Sequence, residues 1–166
     1  MVFASDSSKP RDASSIQWAL SKIRHSGWER AQTRNTSPTK ACLLYTSTIK
    51  PPSGNLKARN SDLLAFTFGT TGSSTSGTWS LYFEGADVGL KKENIDALWI
   101  DPLNGDIYLS VTNAYNLGNG VSGDESAIFI CDPGSLGATT TCTYRAYWDA
   151  AAAGLDANIR GIYIQR

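Results

Sequence analysis

Residues 43–66, LLYTSTIKPPSGNLKARNSDLLAF, lie without a gap over residues 107–130, IYLSVTNAYNLGNGVSGDESAIFI, at a shift of 64. Gly54-Asn55 then falls on Gly118-Asn119, and Leu64 on Ile128. At a shift of 65, GTWSLYFEGADVGL (77–90) matches CTYRAYWDAAAAGL (142–155). That pairs Thr78 with Thr143, Tyr82 with Tyr147, Ala86 with Ala151, and Gly89-Leu90 with Gly154-Leu155. Back at 64, IDALWI (95–100) lies over IRGIYI (159–164). Slips of one residue that stay in loops are what a structural repeat tolerates, because loops absorb changes of length. Residues 41–166 therefore read as two copies of one unit, offset by 64–65.

Eight short apolar runs carry the repeat: 43–48, 62–68, 78–83, 95–100, 106–112, 126–131, 143–148 and 159–164. They are rich in β-branched and aromatic residues and are separated by Gly, Ser, Asn and Asp, a pattern that predicts an all-β meander. Several are apolar on both alternating sides, as expected of sheets covered on both faces. Each copy then supplies four strands.

One unit consists of a strand, a tight DPLNGD turn, a second strand, a long loop, a third strand and a TWSLYF-type fourth strand. The segment IDALWIDPLNGDIYLSV (95–111) resembles the inner hairpin of gluconolactonase, senescence-marker and paraoxonase-type six-bladed β-propellers. YFEGADVGL (82–90), ENIDAL (93–98) and NSDLLAF (60–66) are similar to motifs that recur in bacterial repeat proteins. The resemblance spans residues 43–164 and implies four-stranded propeller blades, with inner strand A and then B, C and D outward. This chain runs B-C-D-A twice. The second copy has drifted, to YWDAAAAGL and NIRGIYI.

Propellers have about four to eight blades. Two blades do not close a ring, and their apolar faces need covering. Self-association is the cheapest cover, and a homotrimer, ahead of a dimer or tetramer, yields the six blades of the resembling families. The C-terminal strand, 159–164, would complete the first blade of its own chain or of a neighbour. A two-blade sandwich is the alternative.

The resemblance also implies where chemistry would sit: on the propeller axis, near the starts of the inner strands. Asp96 takes the second position of its inner strand, after Glu93 and Asn94, a place like that of an acidic metal ligand in those families. A hard cation wants several carboxylate and carbonyl oxygens at once, so the expected cofactor is a divalent ion, calcium or zinc, held by Asp96, Glu93 and Asn94. Such an ion would polarise a carbonyl or phosphoryl oxygen and activate water, chemistry that suits lactones, aryl esters and phosphotriesters. Arg160 is the repeat partner of Asp96. It is either a second catalytic group that holds an anionic part of a substrate or the neutralising half of an ion pair on the axis. Tyr115 and Asn116 in the long loop, with Trp99 on its strand, are the substrate-binding candidates. Asp101, Asn104, Gly105 and Asp106 suggest calcium, but a tight turn between strands explains them better.

Other features narrow the field. With 41% hydrophobic and 18% charged residues the chain reads as globular. Basic and acidic residues balance at 15 each without a basic cluster, so nucleic acid is not an expected partner. No apolar run reaches the roughly 20 residues that span a bilayer, so no membrane is expected either. Residues 1–20 show neither a basic start nor an apolar stretch, and no signal peptide is expected. Residues 1–40 read as an appendage with one helix over 13–25. The one histidine, His25, fits a surface or packing role better than that of a general base. There is no GxSxG elbow and no CxxC pair for a structural zinc site. Cys131 and Cys142 bracket a hairpin turn and are either bonded or two half-buried thiols. Three functions remain: a metal-assisted hydrolase, a glycan-binding ring whose aromatic residues stack on sugars, and a structural repeat without chemistry of its own.

Overall fold

The computed structural model describes residues 41–44, as backbone, and 56–165. The helix expected over 13–25, and His25 with it, lies outside the described residues. What is described is all-β. A three-stranded antiparallel sheet has the order β1 (Ala41–Leu44), β2 (Leu63–Thr70), β3 (Ser76–Phe83). A four-stranded antiparallel sheet follows as a meander: β4 (Ile95–Ile100), β5 (Ile107–Val111), β8 (Ala127–Ser135), β9 (Thr141–Asp149). The loop between β5 and β8 carries a small hairpin that the apolar pattern did not signal, β6 (Tyr115–Asn116) with β7 (Ser122–Gly123). Among the described residues the only helix is a 3-10 turn at Ala151–Ala153. No helix among them is long and apolar enough to cross a membrane.

The two outer hairpins, β2–β3 and β8–β9, share one register at an offset of 65. Thr67 faces Thr78 as Asp132 faces Thr143, and Phe66 faces Trp79 as Cys131 faces Tyr144. Both hairpins slip at matching points, Leu63/Leu64 with Ile128/Phe129 and Phe68/Thr70 with Pro133/Ser135. Their turns match as well. Gly72 and Gly137 both hold positive φ, at 113° and 92°. The Thr75 hydroxyl donates to the Gly72 carbonyl at 2.8 Å and the Thr140 hydroxyl to that of Gly137 at 2.9 Å. In these registers Leu64 holds the place of Phe129, not of Ile128. β1 carries the same offset, with Cys42 on Phe66 as Ile107 is on Cys131, so the gapless shift of 64 expected from residue 43 is 65 in the structure.

β5 shows why the four-stranded sheet is apolar on both sides. All five of its residues are buried. Ile107, Leu109 and Val111 point one way, into a core with Leu63, Phe83, Leu90, Ile95 and Phe129. Tyr108 points the other way, with Ala97, Ile128, Ile130 and Ile159. The first core is the contact between the two sheets. Each fully buried Leu, Ile or Phe in it contributes about 1.5–3 kcal/mol, which makes this contact the main apolar support of the fold. The second core lies on the far side of the four-stranded sheet. Its cover is the C-terminal segment, through Ile159, Ile162 and Ile164.

That segment, expected as a strand over 159–164, forms no strand among the described residues. Ile159 N–H donates to the Glu125 carbonyl at 3.0 Å, as Ile95 N–H does to that of Asn60 at 3.0 Å. β4 goes on to pair with β5. The apolar side chains of 159–164 pack on the four-stranded sheet through Ile159, Ile162 and Ile164.

Cys131 and Cys142 are joined in a disulfide across β8–β9, with Cα atoms 5.2 Å apart.

Candidate functional site

The acidic start of β4 is built by the backbone around it. Glu93 N–H donates to the Leu90 carbonyl at 2.9 Å, the Asn94 carbonyl accepts from Thr112 N–H at 2.9 Å, and Ile95 N–H reaches Asn60. β4 then carries a bulge. Ile95 faces Val111 and Ala97 faces Ser110, which leaves Asp96 as the extra residue. A bulge re-aims the side chain at its extra position, and Asp96 is half-buried there. Glu93 is also half-buried, and its Oε2 is a buried oxygen without a hydrogen-bond partner among the described residues.

Of the remaining candidates, the two aromatic ones lie on opposite faces of the sheet. Trp99 packs edge-on against Tyr108, with centroids 5.1 Å apart, beside the second core. Tyr115 lies across the sheet from it, in the first core, with its ring 4.7 Å from that of Phe129. Burial, then the charges of Asp124 and Asp149, push the Tyr115 hydroxyl up to about 12. Exposed Asn116 uses its Oδ1 to accept from Gly118 N–H at 3.0 Å, closing the loop between β6 and β7. Arg160 sits exposed on the C-terminal segment.

The DPLNGD segment is a turn whose polar side chains bond mainly to its own backbone. Asp101 Oδ1 accepts from Leu103 N–H at 2.9 Å, and Asn104 Oδ1 from Asp106 N–H at 3.1 Å. Asp106 Oδ2 accepts from Asn104 Nδ2 at 2.9 Å and from Arg145 at 2.6 Å. Gly105 supplies the positive φ, 83°, that lets the strand return.

Two further features escaped the reading of motifs. The first is a polar clasp between the sheets. Asp62 is buried and accepts from Arg59 N–H at 2.7 Å and from Gly85 N–H at 3.0 Å. Asp87 Oδ2 takes the Thr140 N–H at 3.0 Å, Thr140 Oγ1 takes the Glu84 N–H at 2.9 Å, and the Tyr144 hydroxyl donates to the Val88 carbonyl at 2.9 Å. Burial and the nearby Asp62 and Asp87 raise the Glu84 carboxyl above its ordinary range, while Arg59, 3.6 Å away, pulls it back. The signal was in view, since Asp62, Glu84 and Asp87 belong to NSDLLAF and YFEGADVGL. Backbone N–H groups left free at strand ends are natural partners for such carboxylates.

The second feature is a groove of about 620 Å³ on the far face of the four-stranded sheet. Ile128, Tyr147, Trp148, Ile159, Ile162 and Tyr163 line it. Tyr147 also meets Tyr108 edge-on at 4.9 Å. Its signal was the aromatic pair in YWDAAAAGL. A pattern of alternation does not say which apolar face will lack a neighbour.

Among the described residues no three His, Cys, Asp or Glu side chains gather as a metal-binding group. Glu93, Asn94 and Asp96 offer five side-chain oxygens at one strand end, where calcium takes about six to eight oxygens in all. The comparisons of this chain with protein-family models, with curated proteins and with solved structures find no match.

Proposed function

We propose that this chain is a β-propeller-type repeat module whose function is assembly. Two blades are encoded per chain, and copies join to close a ring, with a homotrimer of six blades as the preferred stoichiometry. The observation that carries the reading is the register shared by the β2–β3 and β8–β9 hairpins, together with the stacking of one sheet's face on the next. Units that repeat and stack in one direction bury a continuous core only when further units follow. Light scattering on the full chain at micromolar concentration tests this, with an expected mass about three times the 17.9 kDa of the chain. A stable monomer overturns it.

A second reading is a metal-assisted hydrolase of lactones, aryl esters or phosphotriesters with Asp96 on the axis of the ring. The buried, unpartnered Glu93 Oε2 beside it favours this reading. A calcium or zinc ion would be held there by Asp96, Glu93 and Asn94 from several copies. Titration of calcium, then zinc, into the assembled protein should show binding that Glu93→Gln weakens at least tenfold. Hydrolysis of a lactone and aryl-ester panel that survives EDTA and is unchanged in Asp96→Ala overturns it.

A further inference from the structure

The first sheet-to-sheet contact is a template for a second one. At the offset of 65, Phe83 corresponds to Trp148, Tyr82 to Tyr147 and Leu90 to Leu155. Phe83 and Leu90 are wholly buried against the four-stranded sheet, and Tyr82 is packed on the same core. Their counterparts stand open, with Trp148 exposed by 41%, Tyr147 by 48% and Leu155 by 59%. The same positions are covered in one copy and bare in the next, so the missing cover has a defined shape.

What covers the first copy is the opposite face of the next sheet, which includes Phe129, Cys131 and Tyr144. Their counterparts on the first sheet are Leu64, Phe66 and Trp79. Phe66 and Trp79 touch with centroids 4.7 Å apart and are only partly buried. We infer that the groove at Tyr147 and Trp148 receives the β1–β3 sheet of a second copy of this chain, head to tail, on the pattern of the internal contact. This rests on the assembly reading above and says which faces meet.

The polar clasp carries over in part. Gly137 N–H donates to the Tyr82 carbonyl at 2.8 Å, which places the second copy's Gly72 N–H on the Tyr147 carbonyl. Tyr144 on Val88 becomes the Trp79 indole N–H on the Ala153 carbonyl. Thr140 with Glu84 becomes Thr75 with the Asp149 N–H. Asp87 has become Ala152, so one bond of the clasp is lost. The 159–164 segment, which is not a strand in one chain, also finds a ladder. Ile159, Ile162 and Ile164 hold the places of Ile95, Leu98 and Ile100, and β4 pairs with β5. The counterpart of β5 includes β1, whose outer edge is unpaired among the described residues. Carried over, the β4–β5 register sets Tyr163 opposite Leu43 and Ile164 opposite Cys42 of the second copy. A contact between two different faces is heterologous and leads to a ring or an open array.

The test uses the full chain, Trp148→Asp, Trp79→Asp and an equal mixture of the two variants, each followed by light scattering and circular dichroism. Expected is a wild-type oligomer, two monomeric variants with unchanged β-sheet spectra, and a mixture that forms a heterodimer and nothing larger, because one intact pair of faces remains. Should Trp148→Asp lose its fold, Leu155→Asp in the exposed loop makes the same test, with monomer expected. A wild-type monomer overturns both this inference and the assembly reading. A wild-type oligomer that persists in Trp148→Asp and Leu155→Asp, or a mixture that stays monomeric, overturns the face assignment alone.

Discussion

Cys131 and Cys142 are bonded across the β8–β9 hairpin at the two positions that Phe66 and Gly77 fill in the β2–β3 hairpin. In the first hairpin the Phe66 ring lies over the bare Gly77 backbone, where a Cβ on residue 77 would strike it. In the second, a covalent bond does the same work of holding register. Two chemistries thus solve one problem, that of keeping neighbouring strands from slipping.

The bond should matter to stability more than to shape. It closes a short loop, with a sequence separation of 11, for which the chain-entropy argument gives about 3 kcal/mol. Cys142→Ala should lower unfolding stability by about that amount in urea titrations, with the β-sheet spectrum kept at zero denaturant. An unchanged midpoint would mean that packing alone fixes the register.

Gly85 is required by proximity. A Cβ there would collide with the carbonyl of Ser61, a backbone atom that cannot swing away. Asp62 also takes the Gly85 N–H, so a shift of this turn disturbs a buried carboxylate. Gly85→Ala should cost about 2 kcal/mol, in the range for overpacked sites, and thermal denaturation would register it. The counterpart position holds Ala150, so the reverse change, Ala150→Gly, should cost under about 1 kcal/mol.

The buried tyrosines set a limit at high pH. Burial pushes Tyr115 up to about 12 and raises Tyr144 further above its ordinary 10.0. A phenol with a raised folded pKa contributes stability that is fully present below its unfolded value and is lost as pH rises through the folded one. Absorbance at 295 nm should therefore show these two hydroxyls ionising late, together with unfolding. Tyr115→Phe should move the alkaline midpoint upward, and circular dichroism followed from pH 9 to 12.5 would measure it. Simple early titration of every tyrosine would contradict the packing.

Much of this architecture could be read from residue order. Alternation and turn residues located seven of the nine described strands, all but β6 and β7, because a strand's side chains must sort to two faces and DPLNGD must turn. The turn reading of Asp101, Asn104 and Asp106 followed from the same local chemistry, since each side chain bonds within a few residues. Asp96 was placed at a strand start on the same basis, though the bulge that re-aims it depends on β5.

Other features needed the third dimension. Local pattern does not tell that Tyr115 faces Phe129 while Trp99 faces Tyr108, on opposite sides of one sheet. Nor does it say that 159–164 would form no strand among the described residues, since a strand exists only beside another edge. Short-range hydrogen bonding and side-chain alternation are properties of neighbours along the chain, so they are legible in it. Which apolar face is covered depends on contacts between distant segments, and that decided why Phe83 is buried while Trp148 stands in the open.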